Sequence, residues 1–88
     1  MKKIIKSVKF KKDYRRMIKR GVDKNKLIVI LLMLSQDEKL PDKNRDHKLI
    51  GDYAGFYECH IEPDWLLIYD IKDDEIGLVR TGTHSDLF

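Results

Sequence analysis

The spacing of hydrophobic residues predicts a strand and then an amphipathic helix at the start of the chain. The segment IIKSV at residues 4–8 is short, apolar and basic, and it fits a first strand. Apolar residues then recur with the period of one helical face, and lysine and arginine cover the other positions: Phe10, Tyr14, Met17 and Ile18. Gly21 is well placed to end this helix, because glycine is common just after a helix C-terminus.

A second helix is predicted next, and it is apolar nearly all round. Asp23 can cap its N-terminus, with Val22 and Leu27 placed as a hydrophobic staple. The run LIVILLML at residues 27–34 has apolar side chains on every face, so we expect the helix to lie between the first helix and a sheet. The run is less than half of the roughly 20 residues that span a bilayer, which favours a core element over a membrane segment.

The second half of the chain predicts a loop and then three strands. Charges, Pro41, Gly51 and Gly55 break the hydrophobic period over residues 37–55, which indicates a long loop. Three segments rich in aliphatic and aromatic residues follow, with a turn at residues 72–75 between the last two: residues 55–61, 65–71 and 76–81. Both alternating sets of WLLIY are apolar, which is typical of a central strand covered on both faces.

These elements predict an α+β fold in one domain that spans residues 1–88. The order is β-α-α-β-β-β, and the short connections between the last strands favour a mainly antiparallel sheet with both N-terminal helices on one face. A length of 88 residues suffices for one modest core and not for two. The C-terminal TGTHSDLF is expected to be a polar tail.

Two local patterns place polar side chains at the ends of the predicted strands. If residues 61–64 form a turn, His60 and Asp64 lie on opposite arms of a hairpin and can face one another across its mouth. Strand alternation puts Arg80 on the same side as Ile76 and Leu78. A charge in that core-facing register needs a partner or a cleft.

Charge is distributed unevenly along the chain. Residues 1–26 hold twelve Lys and Arg against two Asp, whereas residues 27–88 hold six basic and thirteen acidic residues. This asymmetry favours a basic face for nucleic acid or an acidic partner, and a plain solvated lysine-rich helix explains it equally well. The single cysteine, Cys59, excludes an intramolecular disulfide and most structural zinc sites. Charges directly after the opening MKKII do not fit a signal peptide, so we expect a cytoplasmic protein.

The titratable residues of the second half match the needs of RNA cleavage without a metal. Each alone has an ordinary explanation, such as a solvated loop residue, a helix cap or a turn. Together they supply a base for the ribose 2′-OH, a cation for the phosphate and an acid for the leaving oxygen: His47, His60, Asp64, Arg80 and His84. Phe88 or Tyr57 can stack on a base. A His/His/Asp metal site is the competing interpretation, but the residues have no spacing specific to zinc.

Three motifs resemble the YafQ branch of the RelE-type bacterial toxins. The stretch DHKLIGDYAGFYECHIEPDWLLIYD, followed by RTGTHSDLF, is similar to a DH-x-L-x-G block, a CH-x-x-PDW-LLIY block and a terminal R-x-G-T-H-x-x-LF. The match is ordered and nearly free of gaps over the C-terminal half. The N-terminal half agrees in its pattern of elements and in length, so the resemblance extends over the whole chain.

The resemblance implies the RelE-like microbial RNase fold and a toxin that cleaves mRNA on the ribosome. Such enzymes work by 2′-OH attack, need no metal or other cofactor, and are silenced by a cognate antitoxin. It implies Asp64 or His60 as the base, His84 as the acid, and His47 with Arg80 as phosphate contacts. It further implies substrate contacts by Phe88, Tyr57 and Lys48, and a basic surface for ribosomal RNA or the antitoxin: Arg15, Arg16, Lys19 and Arg20.

The chain departs from this pattern at two positions. Many relatives carry arginine where Tyr57 stands and tryptophan where Tyr53 stands. Loss of that arginine would weaken cleavage or alter codon choice, if it binds phosphate. The alternative function is therefore a non-catalytic RelE-like module that binds an antitoxin or RNA. Retention of the full set of histidines and Asp64 favours the enzyme, because binding alone does not require these groups.

Overall fold

We describe a computed structural model of the chain, which covers residues 1–88. One five-stranded sheet forms its centre, in the order β1-β5-β4-β3-β2. The strands are β1 (Lys3–Lys6), β2 (His47–Lys48), β3 (Tyr57–Glu62), β4 (Trp65–Lys72) and β5 (Glu75–Gly82). The helices are α1 (Val8–Lys19), α2 (Lys24–Ser35) and the single turn α3 (His84–Leu87). Only the β1–β5 pair is parallel, so the predicted α+β fold with a mainly antiparallel sheet is confirmed.

Gly21 and Asp23 lie at helix ends as the sequence predicts, whereas Ser7 and Val8, predicted in the first strand, cap and begin α1. The Ser7 hydroxyl accepts a hydrogen bond from the Phe10 backbone N–H at 2.9 Å and caps α1. After α1, Gly21 has a φ of 91°, a left-handed conformation that glycine adopts without strain. The Asp23 carboxylate accepts from the Asn25 backbone N–H at 2.9 Å, which confirms Asp23 as the cap of α2.

The predicted central strand is confirmed in β4, which is buried on both faces. Its side chains alternate between two clusters. Trp65, Leu67 and Tyr69 pack on the side of the helices, together with Phe10, Met17, Leu27 and Ile30. Leu66 and Ile68 face the other side, where residues 49–56 and α3 cover them through Leu49, Tyr53, Phe56 and Leu87. This face is covered by residues 49–56 and the single turn α3, in contrast to the two long helices on the first face.

The expected position of α2 is wrong. Helix α1 packs directly against β5, so α2 is not an intermediate layer between α1 and the sheet. Leu27, Ile30 and Leu34 of α2 are buried, whereas Ile28 and Leu32 are 46% and 48% exposed. No other part of this chain therefore covers the apolar outer face of α2. None of the three helices has the length and hydropathy that a membrane crossing requires.

Two segments predicted to be irregular contain regular structure. Residues 37–55 hold the two-residue strand β2 and two short 3-10 turns, at Asp42–Asn44 and Gly51–Tyr53. Strand β2 is too short to show a period in the sequence, and it forms because it pairs with β3. The C-terminal tail forms α3, where the Thr83 hydroxyl accepts from the Asp86 backbone N–H and the Asp86 carboxylate accepts from that of Thr83.

Candidate active site

The candidate catalytic residues lie on the face of the sheet opposite α1 and α2. In β3, Cys59 and Ile61 pack in the cluster under the helices, so the alternate residues Glu58 and His60 point to the other face. His47 of β2 is the cross-strand neighbour of Glu58. The short strand that the sequence did not reveal therefore brings His47 to His60.

Asp64 binds His84 and not His60, which corrects the hairpin expectation. Glu62 pairs with Trp65, so the turn is shorter than predicted and Asp64 lies within it. Its Oδ1 accepts hydrogen bonds from the His84 backbone N–H at 3.0 Å and from Nδ1 of His84 at 2.9 Å. These bonds lower the pKa of Asp64 below its ordinary value of 3.8, because both stabilise the carboxylate.

Each of the three histidine rings forms its hydrogen bond through Nδ1. Nδ1 of His47 lies 2.6 Å from the Arg45 carbonyl oxygen, and Nδ1 of His60 lies 3.2 Å from that of Pro63. Because a carbonyl or carboxylate oxygen only accepts, each Nδ1 carries the hydrogen. Each ring therefore presents Nε2 for proton exchange or for substrate. The rings of His60 and His84 have centroids 5.6 Å apart, close enough to act on one phosphodiester.

Glu58 is a member of the site that the sequence reasoning missed. Its Oε1 lies 3.6 Å from Nε2 of His47 and 3.7 Å from Nε2 of His60, and the residue is only 5% exposed. A buried carboxylate between two imidazoles stabilises positive charge there and orients both rings. The available signal was the alternation of β3, which puts Glu58 and His60 on one face.

Replacement of Glu58 by glutamine is expected to lower the rate of RNA cleavage by roughly 10- to 100-fold, since small displacements of catalytic groups have effects of this size. Glutamine has nearly the volume of glutamate, but it lacks the negative charge that attracts Nε2 of His47 and Nε2 of His60. Single-turnover cleavage on ribosomes measures the rate. Glu75→Gln is the matched control, because Glu75 is exposed at the far end of β5. Equal rates for Glu58→Gln and wild type would remove Glu58 from the site.

Arg80 does not continue the face of Ile76 and Leu78, which corrects the expected register. Tyr69 pairs with Leu78 and Ile68 pairs with Arg80, so the strand gains one residue at this point, a β-bulge. Arg80 Nε and Nη2 donate to the Asp13 carboxylate at 2.6 and 3.1 Å. The partner that a charge in this strand requires is therefore Asp13 of α1. The Asp13 hydrogen bonds raise the pKa of the Arg80 guanidinium, which keeps it charged.

An aromatic pair lies beside the arginine. Phe88 is 63% exposed, and its ring meets that of Tyr53 edge to face at 5.7 Å. The Tyr53 hydroxyl also interacts with Arg80. Tyr53, noted in the sequence only as a departure from the family pattern, thus lies next to Phe88 and to the cation.

Two residues predicted to bind substrate are not brought to this face. Tyr57 stacks on Tyr69 at 5.5 Å, within the cluster under the helices. The Lys48 ammonium lies 5.7 Å from the centre of the Tyr57 ring. Because side chains alternate along β3, Tyr57 points away from its neighbour Glu58. The departure from arginine at Tyr57 therefore lies outside the histidine cluster.

The predicted basic surface of α1 divides into paired and unpaired residues. Arg16 binds Asp13 at 3.1 Å, and Arg20 binds Asp86 of α3 at 2.6 and 3.2 Å. Arg15 and Lys19 form no ion pair. Arg20 therefore joins α1 to α3, the helical turn that carries His84, whereas Arg16 pairs within α1. In this chain no group of three or more His, Cys, Asp or Glu side chains is arranged to hold a metal ion.

Acid is expected to destabilise the α1–α3 contact. The Arg20 side chain, followed by the Thr83 backbone N–H, holds the pKa of Asp86 well below its ordinary 3.8. A carboxyl group whose pKa is lowered by folding stabilises the fold above its unfolded pKa and loses this effect as pH falls toward its folded pKa. We therefore expect the free energy of unfolding to be steady above about pH 5 and to decrease from about pH 4 downward. Urea titrations at each pH measure this free energy. Its decrease toward low pH should be shallower for Asp86→Asn than for wild type, and equal slopes for the two proteins would contradict this account.

Comparisons with known proteins place the chain in a family. It matches the model for the bacterial toxin of type II toxin-antitoxin systems, YafQ, over residues 2–88. It is 40% identical over 83 residues to the mRNA interferase toxin YafQ of Escherichia coli K12, which covers 93% of this chain and 90% of that protein. A copper-bound L66S mutant toxin from Helicobacter pylori is 41% identical, with a TM-score of 0.95 over the whole of both chains. The E. coli DinJ–YafQ complex contains a chain that is 38% identical, with a TM-score of 0.90 over 100% of this chain and 99% of that one. This protein belongs to the YafQ family of bacterial toxins of type II toxin-antitoxin systems.

Proposed function

We propose that this chain is an mRNA interferase, an endoribonuclease that cleaves mRNA on the ribosome through attack by the ribose 2′-OH. The observation that carries the proposal is the common orientation of His47, His60 and His84: each ring is held through Nδ1, and no Nε2 forms a hydrogen bond, although the Glu58 carboxylate lies 3.6–3.7 Å from Nε2 of His47 and His60. A module that only binds RNA does not need three imidazoles arranged in this way. The name of the E. coli relative, mRNA interferase toxin, supports the same activity.

His60 is the proposed base. Its Nε2 takes the proton of the 2′-OH, and the 2′-oxygen then attacks the adjacent phosphorus. Asp64 is the weaker candidate for this role, because its bonds to His84 lower the pKa of its carboxyl and make it a poor proton acceptor. Asp64 instead holds the His84 ring, as a positioning residue.

His84 is the proposed acid. Its Nε2–H protonates the 5′-oxygen as the bond between that oxygen and phosphorus breaks, which leaves a 2′,3′-cyclic phosphate and a 5′-hydroxyl. After the cut His60 carries the added proton and His84 has lost one, so the two exchange protons with solvent before the next turnover.

We assign to His47 and Arg80 the stabilisation of the negative charge that develops on the phosphate. The Arg80 guanidinium is fixed by Asp13 through Nε and Nη2, and its remaining N–H groups can donate to phosphate oxygens. Phe88 with Tyr53 offers an exposed aromatic edge on which a nucleobase can stack. Tyr57 and Lys48 are left out of this assignment, since they lie on the other face.

The proposed setting is the bacterial cytoplasm, where a single toxin domain of residues 1–88 acts on translating ribosomes. The E. coli DinJ–YafQ complex supports a cognate antitoxin as the partner that silences it. The basic residues Arg15 and Lys19 are available for ribosomal RNA or for that antitoxin.

Programmed ribosomes with a defined message test the proposal. Purified chain should cut at codons in the decoding site, as mapped by primer extension, and should not cut the same message without ribosomes. The double variant His60→Ala/His84→Ala, checked for folding, is the control for contaminating nuclease. A folded wild-type chain that binds ribosomes and leaves the message intact would point to the non-catalytic module.

A further inference from the structure

The segment that carries His47 needs support beyond its own strand. β2 has two residues, so its pairing with β3 alone gives His47 little support. Just before it, Arg45 has a φ of 47°, in the left-handed region that few residues other than glycine occupy. Such a conformation persists where the surrounding contacts fix it, and it is frequent at functional sites. The contacts of residues 44–46 therefore determine where His47 lies.

Asp46, directly before His47, is bound to the core of the sheet. The Tyr69 hydroxyl donates a hydrogen bond to Oδ1 of Asp46 at 2.5 Å. Tyr69 is a fixed point, because it is 1% exposed in β4 and its ring is stacked on that of Tyr57. Successive side chains of an extended segment point to opposite faces of a sheet. The bond of Asp46 on the side of the helices therefore directs His47 to the catalytic side.

Asn44 binds the same segment to the strand of a second histidine. It is buried, and its Nδ2 donates a hydrogen bond to the backbone oxygen of His60 at 2.7 Å. The carbonyl oxygen of Arg45, the next residue, lies 2.6 Å from Nδ1 of His47. The bond that orients the His47 ring thus comes from a residue flanked by two anchored side chains, those of Asn44 and Asp46.

We propose that Asn44 and Asp46 are positioning residues that hold His47 at a fixed distance from His60. Asp46 binds the segment to β4 and Asn44 binds it to β3, and together they set the separation of the two imidazoles on either side of Glu58. They act through His47 and do not touch the substrate. This inference deepens the proposed function and rests on it, because it takes His47 as a phosphate contact.

The tautomer of the His47 ring is the first readout, and it does not depend on cleavage. Long-range proton–nitrogen NMR spectra should show the neutral wild-type ring with its hydrogen on Nδ1, which the Arg45 oxygen requires. Asp46→Ala should give a mixture of tautomers, because the Arg45 carbonyl is no longer held beside the ring. Asp46→Asn should keep the wild-type spectrum, since its amide oxygen still accepts from the Tyr69 hydroxyl. Asp42→Ala is the matched control, because Asp42 is exposed in the same loop.

A double-mutant cycle with His47 is the second readout. Asp46→Ala is expected to lower the single-turnover rate of cleavage by about 10- to 100-fold, the effect of moving a catalytic group by about 1 Å. Added to His47→Ala, the same change should lower the remaining rate by less than about two-fold, because it acts only through that ring. Asn44→Ala should behave in the same way in both backgrounds. A general loss of folded protein would instead lower the rate equally with and without the His47 ring.

The conservative variants and the two readouts together decide the proposal. Asp46→Asn should cleave within about three-fold of wild type, and Asp42→Ala should cleave at the wild-type rate. Asp46→Ala, at an exposed residue, is the decisive variant if the buried Asn44 cannot be replaced without unfolding.

Equal losses of rate with and without the His47 ring would overturn the positioning role, as would an unchanged His47 tautomer in Asp46→Ala. A wild-type chain that cuts no message would instead contradict the proposed function, and the NMR spectra would still decide whether Asp46 orients the ring.

Discussion

Replacement of His84 by alanine is expected to lower the rate of cleavage by about 10²- to 10⁴-fold, the usual contribution of a general acid. The residue is exposed, and its ring packs against nothing in the hydrophobic clusters. Its contacts are the two bonds to Asp64 and the neighbouring His60 ring. The backbone bond to Asp64 survives the substitution, so the fold should remain and only the proton donor is lost. Single-turnover cleavage on programmed ribosomes measures the rate, and growth on induction reports the loss of toxicity.

Ser85→Ala is the matched control for His84→Ala, because Ser85 is the next residue of α3 and is exposed. It should retain the wild-type rate. Asp64→Asn should lie between the two, since asparagine removes the negative charge and still offers an oxygen to the His84 N–H groups. A His84→Ala variant that is fully active and toxic would show that another group protonates the leaving oxygen.

Replacement of Asp13 by alanine is expected to lower the free energy of unfolding by about 2–4 kcal/mol. Asp13 is 5% exposed, and its carboxylate accepts from Arg80 Nε and Nη2, from the Thr81 backbone N–H at 3.2 Å and from Arg16 Nη2. Loss of the carboxylate leaves Arg80 and Arg16 without an anionic partner and leaves the buried Thr81 N–H unpaired. The Arg80 side chain is 20% exposed, so water compensates in part.

Urea denaturation measures the change for Asp13→Ala. Asp37→Ala is the control, because Asp37 is 75% exposed and its ion pair with Lys2 should contribute less than about 1 kcal/mol. Cleavage should also decrease for Asp13→Ala, since Arg80 is no longer held beside Tyr53. Stability within about 0.5 kcal/mol of wild type would contradict a structural role for the Asp13–Arg80 bond.

The parts of the fold that follow from periodicity could be predicted, and those that depend on pairing could not. The apolar stripe of α1, apart from the exposed Ile18, the caps Asp23 and Gly21 and the double-sided core of β4 are local signals, and each is found where the sequence places it. Strand β2 has two residues and no period of its own. Its formation depends on hydrogen bonds to β3, a partner that is distant in sequence.

The same distinction applies to the site. His47, His60, Asp64 and His84 were named from residue chemistry and family motifs, but their contacts depend on registers that a sequence does not show. The shorter turn sends Asp64 to His84, and the bulge in β5 moves Arg80 off the face of Leu78. Glu58 was missed because an isolated glutamate in a strand resembles any surface charge until the neighbouring strand is known.

The apolar composition of α2 misled the prediction for a different reason. A helix that is apolar all round is normally buried within its own chain, and here the outer residues Ile28 and Leu32 remain half exposed. A sequence shows how much apolar surface must be covered, but it does not show whether the covering residues belong to the same molecule.

The central claim is that the ribose 2′-OH, activated by His60, attacks the phosphate. The most direct test uses two messages that differ by one atom, one all-RNA and one with a single 2′-deoxynucleotide 5′ to the mapped cut, each on programmed ribosomes. The account predicts that the all-RNA message is cut to a 2′,3′-cyclic phosphate and that the substituted message stays intact at that bond. Cleavage of the substituted message at the same position would contradict 2′-OH attack and, with it, the assigned roles of His60 and His84.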